Sequence, residues 1–472
     1  MARIKADLCV IGAGSAGLSL VAGAQQMGAR CVLVESGAMG GDCLNTGCVP
    51  SKALLAAAKM AASRREGAAM GVQPVEPVVD FAATAAYVHR VIAQIAPVDS
   101  QDRFEGFGVR VIRAWGQFLS PTQLQAGDDV ITARRFVIAT GSHPVVPDLP
   151  GLAEVPYLTN ETIFTLTDRP RHLIILGGGP IGVEMAQAHR RLGSAVTLIA
   201  RSRILGRDDP DAAAVVLARL RAEGVTVLEN TEVAQVSGAV TVTLTGGSQI
   251  EGSHLLLALG RAPALTRLNL PAAGVAVTPK GVQVDGHLRS TNRRIFAIGD
   301  VAGGRQFTHV AGYHAGIVLR QVVLGLPASE RTDHIPMVTY TDPELAQIGL
   351  TEAAARQLHG PRLTVTRAEY HHNDRAITES QQDGFIKLMV VNGRPIGVTI
   401  VGHGAGEAIG VWSLAISQRL KLSAIAAMVA PYPTYGEVSK RAAGAYFSPK
   451  LFANPMVKRF VRFVRFVQDW LP

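Results

Sequence analysis

Cys43 and Cys48 stand five residues apart in the stretch Gly40-Gly41-Asp42-Cys43-Leu44-Asn45-Thr46-Gly47-Cys48-Val49-Pro50-Ser51-Lys52, immediately ahead of an Ala/Leu run that reads as a helix. Two thiols at that spacing can open and close as a disulfide. The glycines let the backbone bend tightly, and Pro50 and Ser51 suit a helix start. A thiol near such a start has its thiolate stabilised by unsatisfied N–H groups and the helix dipole. Taken alone, a C-x4-C pair equally describes two small buried hydrophobes. Cys9 and Cys31 fall on strand-like runs and read as core packing.

The elements that must position this pair are legible on either side of it. An apolar run from Ala6 to Ile11 leads into Gly12, Gly14 and Gly17, spaced GxGxxG, then a helix-like segment and a second apolar run, Cys31 to Val34, ending at Glu35. Strand, glycine turn, helix, strand and acid in that order form a dinucleotide fingerprint. The glycines let a pyrophosphate approach the helix N-terminus, and Glu35 can accept the ribose hydroxyls. A second fingerprint begins at His172-Leu173-Ile174-Ile175-Leu176, followed by Gly177, Gly179 and Gly182. Two complete fingerprints imply two dinucleotides. They differ at the ribose position: Glu35 lies 23 residues after Gly12, whereas the residue 23 after Gly177 is Ala200, followed by Arg201 and then Arg207. A carboxylate there repels a 2′-phosphate and guanidinium groups attract it, which favours NADPH.

At 472 residues the chain suggests about three domains. The net charge of +9 comes with only 5% aromatic residues and no nucleic-acid motif, so the basic surface is read as suiting anionic cofactors and not nucleic acid. Four cysteines without paired spacing do not make a secreted disulfide scaffold. The sequence shows no signal-peptide pattern, no apolar stretch of the roughly 20 residues that a spanning helix needs, and no metal-ligand cluster. A cytoplasmic protein is expected.

With both fingerprints in place, the cysteine stretch resembles the active-site segment of the class I flavin disulfide reductases, the family of dihydrolipoamide dehydrogenase, glutathione reductase and mercuric reductase, and the resemblance runs over essentially the whole chain. It implies an α/β fold of two Rossmann-like domains, for FAD and for NAD(P), with an α+β C-terminal dimerisation domain. The implied boundaries are 1–145 and 266–334 for the FAD-binding parts, 146–265 for NAD(P)H, 335–455 for the interface domain and 456–472 for a basic tail. Prolines 144, 147 and 150 with Gly151 mark the linker between the first two parts. Gly41 and Asp42, Thr140 and Gly141 in Ala139-Thr140-Gly141, and Gly299 and Asp300 in Ala297-Ile298-Gly299-Asp300 are implied as FAD contacts, and Gly260 as the turn that closes the nicotinamide domain. Cys48 is implied as the thiol beside the flavin and Cys43 as the one that meets the acceptor. A glutamate two residues after the third glycine, Glu184, is implied to pair with Lys52. The resemblance also implies a homodimer in which each subunit completes the other's site.

The chain departs from lipoamide and glutathione reductases where those supply a His-Pro followed by Glu. In Ala430-Pro431-Tyr432-Pro433-Thr434-Tyr435-Gly436-Glu437, Tyr432 takes the histidine position and Glu437 remains. A phenol titrating near ~10 is a poor base at neutral pH beside an imidazole near ~6.5. Tyr432 and the arginines after Ala200 resemble mercuric reductase instead, although no cysteine follows Cys48 and no metal-carrier domain precedes the first strand. In the tail from Met456 to Leu471, Lys458, Arg459, Arg462 and Arg465 gather on one side of a helix and Val457, Phe460, Val461, Val464, Val467 and Leu471 on the other. This apolar side is read as packing on the partner subunit in preference to an anionic membrane. The expectation is an enzyme that passes electrons from NADPH through FAD and the cysteine pair to a lipoyl-type disulfide, another small molecule or a soft metal ion. Direct delivery from the flavin to a quinone or oxygen is the enzymatic alternative, and a redox sensor or membrane-recruited interaction protein is the alternative of another class.

Overall fold

The computed structural model describes residues 2–470. They form two compact units. The first comprises the chain up to Glu66 with Pro74–Ser202 and Val225–Glu330, the second Gly67–Gln73, Arg203–Gly224 and the chain from Arg331 onward.

The first unit holds two main sheets, the larger one mixed, with an antiparallel edge, and the other wholly parallel. In the larger one the strands are β1 (Arg3–Ile11), β2 (Cys31–Val34), β3 (Arg110–Ile112), β4 (Gly116–Ser120), β5 (Gln123–Ala126) and β6 (Asp129–Ile138), in the order β3-β2-β1-β6-β5-β4. The second sheet comprises β7 (Tyr157–Leu158), β8 (His172–Leu176), β9 (Ala195–Ile199), β10 (Thr226–Leu228) and β11 (His254–Leu257), in the order β10-β9-β8-β11-β7, with every pairing parallel. The chain then returns to the first sheet through β12 (Ile295–Ala297), which pairs in parallel with the end of β6.

Parallel sheets are covered on both faces, so their strands must be apolar on both. In β1, Cys9 and Ile11 enter the core on one face of the sheet while Leu8 and Val10 enter the core on the other. Cys9 and Cys31 are fully buried, and burial pushes the Cys31 thiol up to about 12 and the Cys9 thiol higher. They pack and do not react.

The second unit is built on an antiparallel sheet of β13 (Pro336–Thr339), β14 (Glu344–Gly349), β15 (Leu363–Glu369), β16 (Phe385–Val391) and β17 (Arg394–Gly402), in the order β13-β14-β17-β16-β15. Trp412, in helix Ala405–Ser417, is wholly buried and donates its indole N–H to Ser439 Oγ at 3.0 Å. This bond ties that helix to Glu437–Phe452, the helix that begins with Glu437. Helix Pro210–Ala222 also belongs to this unit and is anchored by charge. Lys387 Nζ lies 2.9 Å from Asp209, 2.8 Å from Asp211 and 3.0 Å from Glu352, with the Lys387 and Asp209 side chains only 4% and 0% exposed.

The last helix, Pro455–Gln468, starts at Asn454, whose side chain accepts from Met456 N. At 3.6 residues per turn Lys458, Arg459, Arg462 and Arg465 do fall on one side, and Phe463 and Phe466, which the sequence reading did not place, lie beside Arg459 and Arg462 at the edge of that side. Leu471 lies outside the described residues.

Removing one partner of a buried ion pair leaves an uncompensated charge, which costs about 3 to 5 kcal/mol. Lys387→Met is therefore expected to lower the unfolding free energy by that amount, read from denaturant unfolding followed by far-UV circular dichroism. A shift under about 1 kcal/mol, the value of an exposed pair, would show that Asp209 is not held by this lysine.

Candidate active site

The two glycine turns show where bound groups must come close. A Cβ on Gly12 would stand 2.3 Å from Ala139 O, and one on Gly17 would stand 1.9 Å from Gly12 O, so the protein's own backbone excludes side chains at both. At Gly14 the nearest atom would be Gly41 Cα at 3.9 Å. The second turn repeats this: Gly177 and Gly182 are closed by Ala258 O at 2.2 Å and Gly177 O at 1.9 Å, while Gly179 has nothing within 4 Å. Packing thus requires the first and third glycines, and only an approaching ligand requires the middle one. The helices that follow, Ser15–Gln26 and Pro180–Arg191, have Gly14 and Gly179 at their N-caps and no side chain capping them. Their first N–H groups remain available to an anion. Glu35 closes the first turn, accepting from Ala13 N and Gly37 N, each at 2.6 Å. A carboxylate has about four acceptor sites, so ribose hydroxyls can still be taken. These features fit FAD in the first turn and a second dinucleotide in the other. Arg201 is exposed just beyond β9, and Arg207 is an exposed residue of the second unit.

Asp42 and Asp300, both expected as FAD contacts, are joined by a residue that the motifs did not single out for binding. Arg261 lies 3.3 Å from Asp42 Oδ2 and 3.9 Å from Asp300 Oδ2, and donates through Nε to Ser142 Oγ at 2.8 Å. Ser142 in turn donates to Asp300 at 2.5 Å, and Asn160 donates to Asp42 at 2.9 Å. Burial raises the Asp300 carboxyl above its usual range. Gly299, at φ +71°, donates its N–H to His314 Nδ1 at 3.2 Å, and His314 Nε2 faces Glu330 at 2.9 Å. Thr140 Oγ1 donates to Ala264 O at 2.7 Å, joining the turn that contains Gly141 to the strand after Gly260. Gly41 has φ +57°, and a Cβ there would stand 2.8 Å from Gly14 Cα, so this glycine lets the cysteine segment pass against the first turn.

Cys48 is the first residue of helix Cys48–Arg65, and Cys43 belongs to the short helical turn Gly41–Asn45 before it. Cys48 Sγ lies 3.3 Å from Thr308 Oγ1, at the start of helix Thr308–Val322. The hydrogen bond from Cys43 is the largest influence on Cys48 and lowers it; the Thr308 hydroxyl and the charge of Lys52 act the same way and bring the thiol down to about 6 against burial. Cys43 is pushed up, by that same bond and by burial. Lys52, one helical turn beyond Cys48, places its ammonium 2.9 Å from Glu184 Oε2, and Glu184 is buried. The pair expected from the resemblance is therefore formed. Among the described residues no group of three or more His, Cys, Asp or Glu is placed to hold a metal ion.

Thr308 is 260 residues from Cys48, and no local spacing announces it. Ser15, which bonds Cys43, lies inside the first glycine turn and could have been found there.

In the second unit Tyr432 and Glu437 take separate partners. Tyr432 is 71% exposed and donates its hydroxyl to Asp374 Oδ2 at 2.9 Å, and this carboxylate raises the phenol above its usual value. Glu437 Oε2 accepts from Thr434 N at 3.3 Å. Tyr435, beside them, donates to Glu379 Oε2 at 2.6 Å, with its ring centroid 4.8 Å from that of His403.

The comparisons with known proteins agree over most of the chain. Residues 6–315 match the family model described as pyridine nucleotide-disulphide oxidoreductase, and residues 335–443 match the dimerisation domain of the same family. A mercuric reductase of Streptomyces lividans is 35% identical over 94% of this chain and 96% of its own. A dihydrolipoyl dehydrogenase of Bacillus subtilis is 31% identical over 91% and 96%. Among solved structures, the Cu(II) complex of the HOCl-induced flavoprotein disulfide reductase RclA from Escherichia coli superposes with a TM-score of 0.83 at 28% identity, over 92% of this chain and 98% of that one.

With Cys48 depressed to about 6, its thiolate should be present above that pH and be protonated as the pH falls through it. In the reduced protein, the rate of Cys48 alkylation by iodoacetamide, followed by mass spectrometry, is expected to inflect there. Thr308→Val removes a donor to a charged group and should move the inflection upward by about one unit. An unmoved inflection would show that the threonine hydroxyl does not hold the thiolate.

Proposed function

The chain belongs to the pyridine nucleotide-disulphide oxidoreductases, FAD-dependent enzymes with NAD(P)H as electron donor, and from that premise we propose that it draws on NADPH and passes electrons through the Cys43–Cys48 pair to a thiophilic metal ion. The observation that carries the acceptor assignment is Tyr432, whose hydroxyl is committed to Asp374 and whose phenol is held above its usual value. Such a group does not serve as the acid and base that thiol–disulfide turnover requires. A metal ion needs no proton from it.

When bound, FAD accepts hydride from the nicotinamide and supplies the electron pair that opens the disulfide. The chain's own residues then divide the charge. Cys48 holds it, at a helix N-terminus with the Thr308 hydroxyl and the Lys52 ammonium nearby. Cys43 keeps the proton. A mercuric ion accepts both electrons, or two cupric ions one each, as the dithiol closes again to the disulfide and releases the Cys43 proton. Tyr432 and Glu437 serve the acceptor side across the subunit boundary of the homodimer. Mercuric reductases among the relatives and the Cu(II) complex of the Escherichia coli enzyme support this reading.

The preference for NADPH rests on Arg201, which follows Ala200, the residue where the first fingerprint carries an acid, and is exposed beyond β9. Arg201→Gln should raise the dissociation constant for NADPH roughly ten- to hundredfold, the value of one charged hydrogen bond, and leave NADH binding nearly unchanged. Equal losses with both nucleotides would assign Arg201 to the fold instead.

For the acceptor, NADPH-dependent reduction of mercuric or cupric ions should be lost in Cys43→Ser/Cys48→Ser. Turnover with lipoamide or glutathione disulfide should be slow in the wild type, by the ~100- to 10,000-fold that a positioned general acid typically contributes, and should rise in Tyr432→His. Efficient wild-type disulfide turnover would overturn the metal assignment, and metal reduction surviving in the double serine variant would indicate direct transfer from the flavin.

A further inference from the structure

The helix Pro455–Gln468 presents two faces, neither of them covered among the described residues. Phe460, Phe463, Phe466 and Trp470 beyond its end are 63%, 61%, 59% and 76% exposed, and the Phe466 and Trp470 rings lie 6.0 Å apart. Lys458, Arg462 and Arg465, at i, i+4 and i+7, form a stripe beside these aromatics, with Arg462 and Phe466 one turn apart where the two meet. Every charge over Pro455–Gln468 is positive, and none of its basic side chains forms an ion pair among the described residues. We propose that this helix lies in the surface of a bilayer containing anionic lipid and holds the enzyme there.

Two observations favour a bilayer over a second copy of the chain. The match to the dimerisation domain ends at residue 443, before this helix begins. Two copies brought together by these helices would gather eight positive charges with no carboxylate on either helix to face them, whereas anionic headgroups supply the missing charge. The composition also suits the interface. The phenylalanines enter the acyl boundary, Trp470 suits the headgroup level, and Arg459, beside the aromatic stripe, can extend its guanidinium to the phosphates. No helix among the described residues is long and apolar enough to cross a membrane, so the contact would be peripheral. Flotation of such a helix requires both the apolar face and the charge, and each can be removed without touching the residues that hold cofactors or thiols.

The experiment is flotation of the full-length, flavin-loaded enzyme with vesicles of phosphatidylcholine, with and without phosphatidylglycerol. Two variants accompany the wild type: Lys458→Glu/Arg462→Glu/Arg465→Glu, and Phe463→Ser/Phe466→Ser. Flavin content and rate of reduction by NADPH should be unchanged in both. The wild type is expected to float only with the anionic vesicles, the charge variant to bind them roughly a hundredfold or more weakly, and the serine variant to remain at the bottom of the gradient. Brominated phosphatidylcholine in anionic vesicles should quench wild-type tryptophan fluorescence and leave Trp470→Phe unquenched. Absence of wild-type flotation, or flotation that survives both variants, would overturn the proposal. So would a fall in solution mass of the serine variant, measured by light scattering, because a second copy would then be what covers the aromatic face.

Discussion

Between Cys43 and Cys48 there is one proton and one negative charge to place, and the surrounding structure biases where each goes. Cys48 begins an 18-residue helix, so unsatisfied N–H groups point toward it. Thr308 adds a hydroxyl from a different helix, and Lys52 adds a positive charge from the next turn. Lys52 is itself fixed by Glu184, which is buried and comes from the helix after the second glycine turn. Three separate elements therefore converge on one sulfur. Cys43, held by the bond that it makes to Cys48, keeps the proton. In the proposed function the same asymmetry separates the work of the two thiols: the charged one serves the flavin side, and the other meets the acceptor once it is deprotonated.

Much of this arrangement was legible in the sequence because it is local or repeats a known order. The glycine turns are each complete within a few residues of a strand, and the close backbone contacts at Gly12, Gly17, Gly177 and Gly182 are what that spacing encodes. The Lys52–Glu184 pair spans 132 residues and was legible only through the family resemblance. Arg261, Ser142 and Thr308 were missed as parts of the site because topology, not spacing, brings them there. Arg261 follows the strand that leaves the nicotinamide sheet and bridges Asp42 to Asp300, and nothing in its neighbourhood of sequence names either carboxylate. At the C-terminus the sequence reading grouped the four basic residues on one side, and the helical repeat adds Phe463 and Phe466 beside Arg459 and Arg462, since a step of four residues turns a side chain by only about 40°.

The acceptor side follows from a different constraint. A thiol leaving group needs a proton at the moment it departs, and the usual donor in this family position is an imidazole. Tyr432 offers a phenol that is exposed, bonded to a carboxylate and made less acidic by it. Glu437 has no imidazole to orient and accepts from the Thr434 backbone. Tyr435 is raised by burial and by its bond to Glu379, so neither tyrosine of the segment is tuned for proton exchange near neutrality. An acceptor that binds sulfur and takes electrons without a proton is compatible with this chemistry, and a thiophilic metal ion is one.

The division of roles between the two thiols is tested most directly by anaerobic spectroscopy of the flavin-loaded enzyme and its single cysteine variants. A thiolate beside oxidised flavin gives a long-wavelength charge-transfer absorption. The account predicts that Cys43→Ser shows this band before any reductant is added, because Thr308 and Lys52 still hold Cys48 as a thiolate, and that it fades as the pH falls and Cys48 takes up a proton. Cys48→Ser should lack the band at every pH. A band that persists in Cys48→Ser and is missing from Cys43→Ser would place the charge on the other sulfur and contradict the account.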